Sequence, residues 1–127
     1  MRSTTKKLVI AGLILAGWHA MAQGKEISLP EKLTASHCGA CHTFKRDEPH
    51  GMGPNLYGLL DRPAGSAPGF DYSDSFLQRL GGQPWSRELL DAWLADTQAL
   101  APGSAMTYFQ DDPGKRELII QYFEASN

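Results

Sequence analysis

The chain has almost no cysteine. Its 127 residues hold only Cys38 and Cys41, which excludes a disulfide scaffold and leaves any structural zinc site two ligands short. Long apolar runs are missing too. The run from Leu8 to Gly17 is ten residues, about half of the roughly 20 that a bilayer-spanning helix needs. No internal repeat, low-complexity tract or interdomain linker divides the chain, and no alternating pattern is long enough to build a sheet. Positive charge is scarce beyond the N-terminus. From residue 23 onward nine Lys and Arg face fourteen Asp and Glu, a net of −5. That balance excludes a nucleic-acid binder and gives no attraction to anionic membranes. No catalytic triad, acid–base pair or phosphate-binding loop is present.

The N-terminus has its own pattern. Arg2, Lys6 and Lys7 precede the apolar run, and Ala20-Met21-Ala22 supplies small residues where a signal peptidase cuts. The expectation is a cleaved signal peptide over residues 1–22. Residues 23–127 then form a single exported domain, periplasmic in a bacterium, with no stable membrane insertion after cleavage.

What the sequence does hold is Cys38-Gly39-Ala40-Cys41-His42. The C-x-x-C-H spacing is the signature of covalent c-type haem attachment. Two thiols three positions apart can each add to one of two neighbouring vinyl groups on a porphyrin edge. The imidazole that follows can then ligate the iron. Other chemistries fit less well. Zinc would need His37 and His50, which lack paired spacing; a thioredoxin-like pair should follow a strand; a disulfide would close a very short loop. Export agrees with the haem reading, because bacteria attach haem c outside the cytoplasmic membrane.

The remaining pattern predicts an all-α fold of three to five short helices separated by long loops. A helix over 31–42 carries the motif near its end. Residues 43–72 are rich in Gly and Pro and read as irregular loop, which is reasonable at that length if it wraps a cofactor. Ser73–Leu80 is a short helix stopped by Gly81-Gly82. Ser86 caps a helix with Leu89, Leu90, Trp93 and Leu94 on its apolar side. Asp112-Pro113 starts the last helix, which buries Leu118, Ile119, Tyr122 and Phe123. Candidates for a second iron ligand are Met52, Met106, His37 and His50. Met106 is favoured, on a loop after Pro102-Gly103 and far enough along the chain to reach over a porphyrin.

Gly53-Pro54-Asn55-Leu56-Tyr57-Gly58 resembles the GPNLxG segment of class I c-type cytochromes, and the ordered motifs from Cys38 to Tyr122 are similar to the mitochondrial-type members. The resemblance implies a small cytochrome c fold around one covalent haem c. It implies that the Pro54 carbonyl orients His42, that Arg62, Tyr72, Trp85 and Ser104 serve the propionates, that Trp93 lines the distal pocket, and that Met106 is the sulfur ligand. Tyr108 takes the place of an aromatic at the haem edge. The chain departs from that pattern at Pro30, Thr34 and Ala105, where the family has glycine, an aromatic and lysine. Pro30 predicts a late start to the first helix, and Thr34 a weaker dock of the first helix on the last.

The implied function is that of a soluble, monomeric, exported electron carrier, not an enzyme, working between redox partner proteins. A cytochrome subunit docked permanently to a dehydrogenase or oxidase, or a haem peroxidase or gas-binding protein with a labile Met ligand, are the alternatives. Lysines after residue 23 are only Lys25, Lys32, Lys45 and Lys115. Docking is therefore expected through an apolar patch of Ala101, Pro102, Ala105 and Tyr108.

Overall fold

The computed structural model describes residues 25–126, and the expected signal peptide lies outside them. Five helices and one 3-10 turn follow in order: α1 Leu29–Cys38, the turn Leu59–Asp61, α2 Asp74–Leu80, α3 Arg87–Ala95, α4 Thr97–Leu100 and α5 Pro113–Ala125. Among the described residues the only β pairing consists of two isolated bridges, Pro63 with Pro84 and Asp96 with Phe109. The fold is the small all-α one that the sequence predicts.

The first helix differs from its expected bounds at both ends. It starts before Pro30, because the Ser28 side chain accepts from the Glu31 N–H and proline is free of penalty in a first turn that needs no N–H donor. It stops at Cys38. The N–H groups of Cys41 and His42 both turn back to the Cys38 carbonyl, so the motif straddles the helix end. Cys38 is the last helical residue, and His42 lies on the turn beyond.

The other caps follow the sequence closely. Ser86 accepts from the Leu89 N–H, and Asp112 accepts from Gly114 and Lys115. The α2 stop is divided between the two glycines: the Gly81 N–H returns to Leu77, while Gly82 takes the left-handed φ of 80°. Gly82 N–H then donates to Ala64 and Ala64 N–H to Gln83. These bonds pin the long loop against the end of α2.

The core gathers Leu59, Phe76, Leu80, Leu90, Trp93, Leu94, Ile119, Ile120 and Phe123. Ile120, absent from the expected α5 stripe, is fully buried, whereas Leu118 is half-buried. Arg116 reaches Asp91 at 2.8 Å and so joins α5 to α3. Arg87 at the start of α3 joins Glu117 and Glu124 of α5.

The α1–α5 crossing is the broadest helix–helix packing in the described residues. Tyr122 finds an aromatic partner in Phe44, at 5.8 Å edge to face, where the family pattern would offer residue 34. Thr34 itself is 1 % exposed, and among the described residues its hydroxyl has no hydrogen-bond partner. An unpaired buried hydroxyl costs free energy that a methyl of the same shape does not. Thr34→Val is therefore expected to stabilise the holoprotein by about 1–2 kcal/mol, read as a higher denaturant midpoint at unchanged slope. A lower midpoint would show that the hydroxyl has a partner in solution.

Candidate functional site

Between α1, the long loop and the 101–109 segment lies a cavity of about 430 Å³, within the roughly 300–1,000 Å³ of small-molecule and cofactor sites. Phe70, Tyr72, Phe76, Trp85 and Trp93 form one aromatic wall, linked ring to ring at 4.8–6.5 Å. Cys38, Cys41, His42, Arg62, Ser104 and Met106 line the same space. The structure thus gathers the residues that the sequence spreads over 69 positions, from 38 to 106.

His42 is buried, and its Nδ1 donates to the Pro54 carbonyl at 2.7 Å. That bond fixes the tautomer and leaves the Nε2 lone pair for a ligand, the usual arrangement of a metal-binding imidazole. Burial lowers the His42 pKa, with the Pro54 bond acting the other way, so the ring is neutral and able to ligate at neutral pH. Cys38 is buried and Cys41 half-exposed. Burial first, and the neighbouring Cys41 second, push the Cys38 thiol up to about 11, which holds it protonated at neutral pH.

Asn55 and His50 hold the His42 side of the site, a role that the sequence does not predict for either. The Asn55 amide donates to Thr43 Oγ1 and to the Lys45 and Glu48 carbonyls, and its Oδ1 accepts from the Tyr57 N–H. Its backbone N–H donates to His50 Nδ1 at 2.9 Å, while His50 Nε2 donates to the Pro68 carbonyl at 2.9 Å. Both His50 nitrogens are thereby spent, which removes it as an iron or zinc ligand. His37 is engaged as well, with Nδ1 3.0 Å from the Tyr108 hydroxyl. Asn55 stands inside the Gly-Pro-Asn-Leu run, the one signal that pointed to it.

Of the expected propionate residues, Arg62 lines the cavity and donates to the Asn55 carbonyl. Tyr72 accepts from the Ala67 N–H, and among the described residues its own hydroxyl proton and the Trp85 ring N–H have no protein acceptor. Ser104 lines the cavity as well. Its hydroxyl accepts from Gln98 Nε2 at 3.1 Å and faces the Met106 carbonyl at 3.3 Å. Met106 is half-buried, whereas Met52 is 78 % exposed at the cavity mouth.

The expected docking patch needs one correction. Ala101 is 0 % exposed because it packs into the core. Phe109, next to Tyr108 in the chain, is 67 % exposed, and Pro102 and Ala105 are exposed too.

These residues fit a flat apolar macrocycle with anionic substituents. The aromatic wall suits its faces, two thiols lie where it could be tethered, and a neutral imidazole and a thioether are available to its iron. Arg62, Tyr72 and Trp85 supply donors, without which buried anions are expensive.

No protein-family model matches the chain. Curated proteins do. The chain is 36 % identical over 88 residues to cytochrome c2 of Rhodopila globiformis, covering 68 % of this chain and 80 % of that protein. It is 33 % identical over 89 residues to cytochrome c of Stellaria longipes, with 68 % and 81 % covered. Against cytochrome c of Guizotia abyssinica the identity is 30 % over 108 residues, 84 % of this chain and 96 % of that one.

Proposed function

Because this chain belongs to the class I c-type cytochromes, and so is an electron carrier with one covalent haem c, we propose that it is an exported shuttle with His42 and Met106 as its iron ligands. Cys38 and Cys41 hold the haem by thioether bonds in this reading. The observation that carries it is His42. The ring is buried and neutral, its Nδ1 is committed to Pro54, and its Nε2 is left over in a cavity that Met106 and both thiols also line.

When bound, the haem iron supplies a one-electron ferric–ferrous couple, and Met/His ligation in an apolar pocket raises its potential. The polypeptide does the rest. Pro54 orients His42, the aromatic wall excludes water, Arg62, Tyr72 and Trp85 offer donors to anionic groups, and Met106 fills a coordination position that would otherwise admit small ligands. The signal peptide over 1–22 accounts for export. The test of attachment is acid–acetone extraction of matured protein. Colour that stays with the polypeptide is expected, and colour that leaves into the solvent overturns the thioether assignment.

The partner surface follows from exposure and charge. Pro102, Ala105 and Phe109 are exposed, Tyr108 is half-exposed, and the stretch Ala99–Tyr108 carries no charged side chain. Docking of a redox partner there relies on apolar contact, so electron-transfer rates should change little between low and physiological salt, where screening of charge pairs sets in. A steep fall in rate with salt would place docking on a charged face.

A further inference from the structure

We propose that Thr97 and Gln98, on the short helix α4, are positioning residues that hold Met106 over the iron; this rests on Met106 being the ligand. Thr97 is 0 % exposed although it is polar. Its hydroxyl donates to the Met106 carbonyl at 2.8 Å and accepts from the Tyr108 N–H at 2.9 Å. Its backbone N–H donates to the Tyr108 carbonyl at 3.1 Å. Gln98 Nε2 donates to the Met106 carbonyl at 2.9 Å and lies 3.1 Å from both oxygens of Ser104. Gln98 Oε1 accepts from the Gly103 N–H at 3.0 Å. Two adjacent side chains thus satisfy backbone groups on both sides of Met106 and one of its own.

The arrangement matters because the segment has no regular structure of its own to hold it. Residues 101–109 form no helix and make one isolated bridge, Phe109 with Asp96. A thioether is a neutral ligand on a flexible side chain, so its occupancy of the iron depends on how little the backbone must be ordered to present it. Asp96 sets the frame in turn. Its carboxylate caps α4 by accepting from the Gln98 and Ala99 N–H groups, which fixes where the two side chains start. The sequence gives no hint of this role, since Thr97-Gln98 reads as an ordinary polar step between two helices.

Binding of imidazole to the ferric holoprotein tests the proposal, because imidazole must displace the sixth ligand. Wild type, Thr97→Val, Gln98→Leu, Thr97→Ser and Met106→Ala are titrated, with the far-red thioether-to-iron charge-transfer band recorded alongside. Thr97→Val keeps the shape and removes the hydroxyl; Thr97→Ser keeps the hydroxyl. We expect Thr97→Val and Gln98→Leu each to bind imidazole about tenfold more tightly than wild type, the factor that loss of one net hydrogen bond gives. Their charge-transfer band should weaken, and Thr97→Ser should behave as wild type. A general loss of stability would lower the unfolding midpoint without this pattern. If Thr97→Val and Gln98→Leu match wild type while Met106→Ala binds much more tightly, the positioning role is overturned and the ligand stands. If Met106→Ala binds imidazole no better than wild type, the ligand assignment fails and the positioning role with it.

Discussion

Met106→Ala is expected to turn the ferric protein from low-spin to high-spin or water-ligated iron and to lower its reduction potential. The fall should exceed about 60 mV, which for one electron is a tenfold shift in the ferric–ferrous ratio. The direction follows from ligand chemistry, since a soft thioether favours ferrous iron and its replacement by water withdraws that preference. Met52→Ala should change neither spectrum nor potential. Met52 is 78 % exposed on the loop after His42, whereas the Met106 backbone is tied to α4 through Thr97 and Gln98. Optical spectra and a redox titration of the two variants decide the matter. Exchanged phenotypes would put the iron ligand on the Met52 loop and reassign the 101–109 segment to a structural role.

Much of this arrangement is legible in the sequence, for reasons that are local. C-x-x-C-H, the Ser86 and Asp112 caps, and the Gly-Pro-Asn-Leu run each act within a few residues, so their chemistry shows in one dimension. His50, Thr97 and Gln98 do not show in these roles. Each is a polar residue whose partners are backbone groups on the same or another loop, and only the folded chain brings those groups to it. Ala101 misleads for the opposite reason. An alanine before Pro-Gly looks like exposed loop, but the turn that follows drives its small side chain into the core. α1 starts two residues before the expected 31 because Ser28 caps the helix, which leaves Pro30 inside the first turn.

Gly53 should not tolerate a side chain, and the reason is space. A Cβ added there would lie 2.7 Å from His42 Nδ1 and 2.8 Å from Nε2, and nearer still to Cε1. The imidazole packs directly on this stretch of backbone. It has nowhere to retreat while Nδ1 stays on the Pro54 carbonyl. In Gly53→Ala either the ring leaves Pro54 or the loop moves away from the ring. Overpacking of this kind costs about 1–3 kcal/mol, and here the strain falls on the group proposed to ligate the iron. The expectation is a lower denaturant midpoint together with an altered ferric spectrum and potential. Gly69→Ala separates this from a general glycine effect. Gly69 has a φ of 75° with nothing within 4 Å of an added Cβ, so alanine there brings only backbone strain, about 1–2 kcal/mol. It should lower the midpoint and leave the haem spectrum as it is. If Gly53→Ala keeps the wild-type midpoint, spectrum and potential, the His42 ring does not rest on residue 53 in the holoprotein, and the proximal geometry drawn from Pro54 must be redrawn.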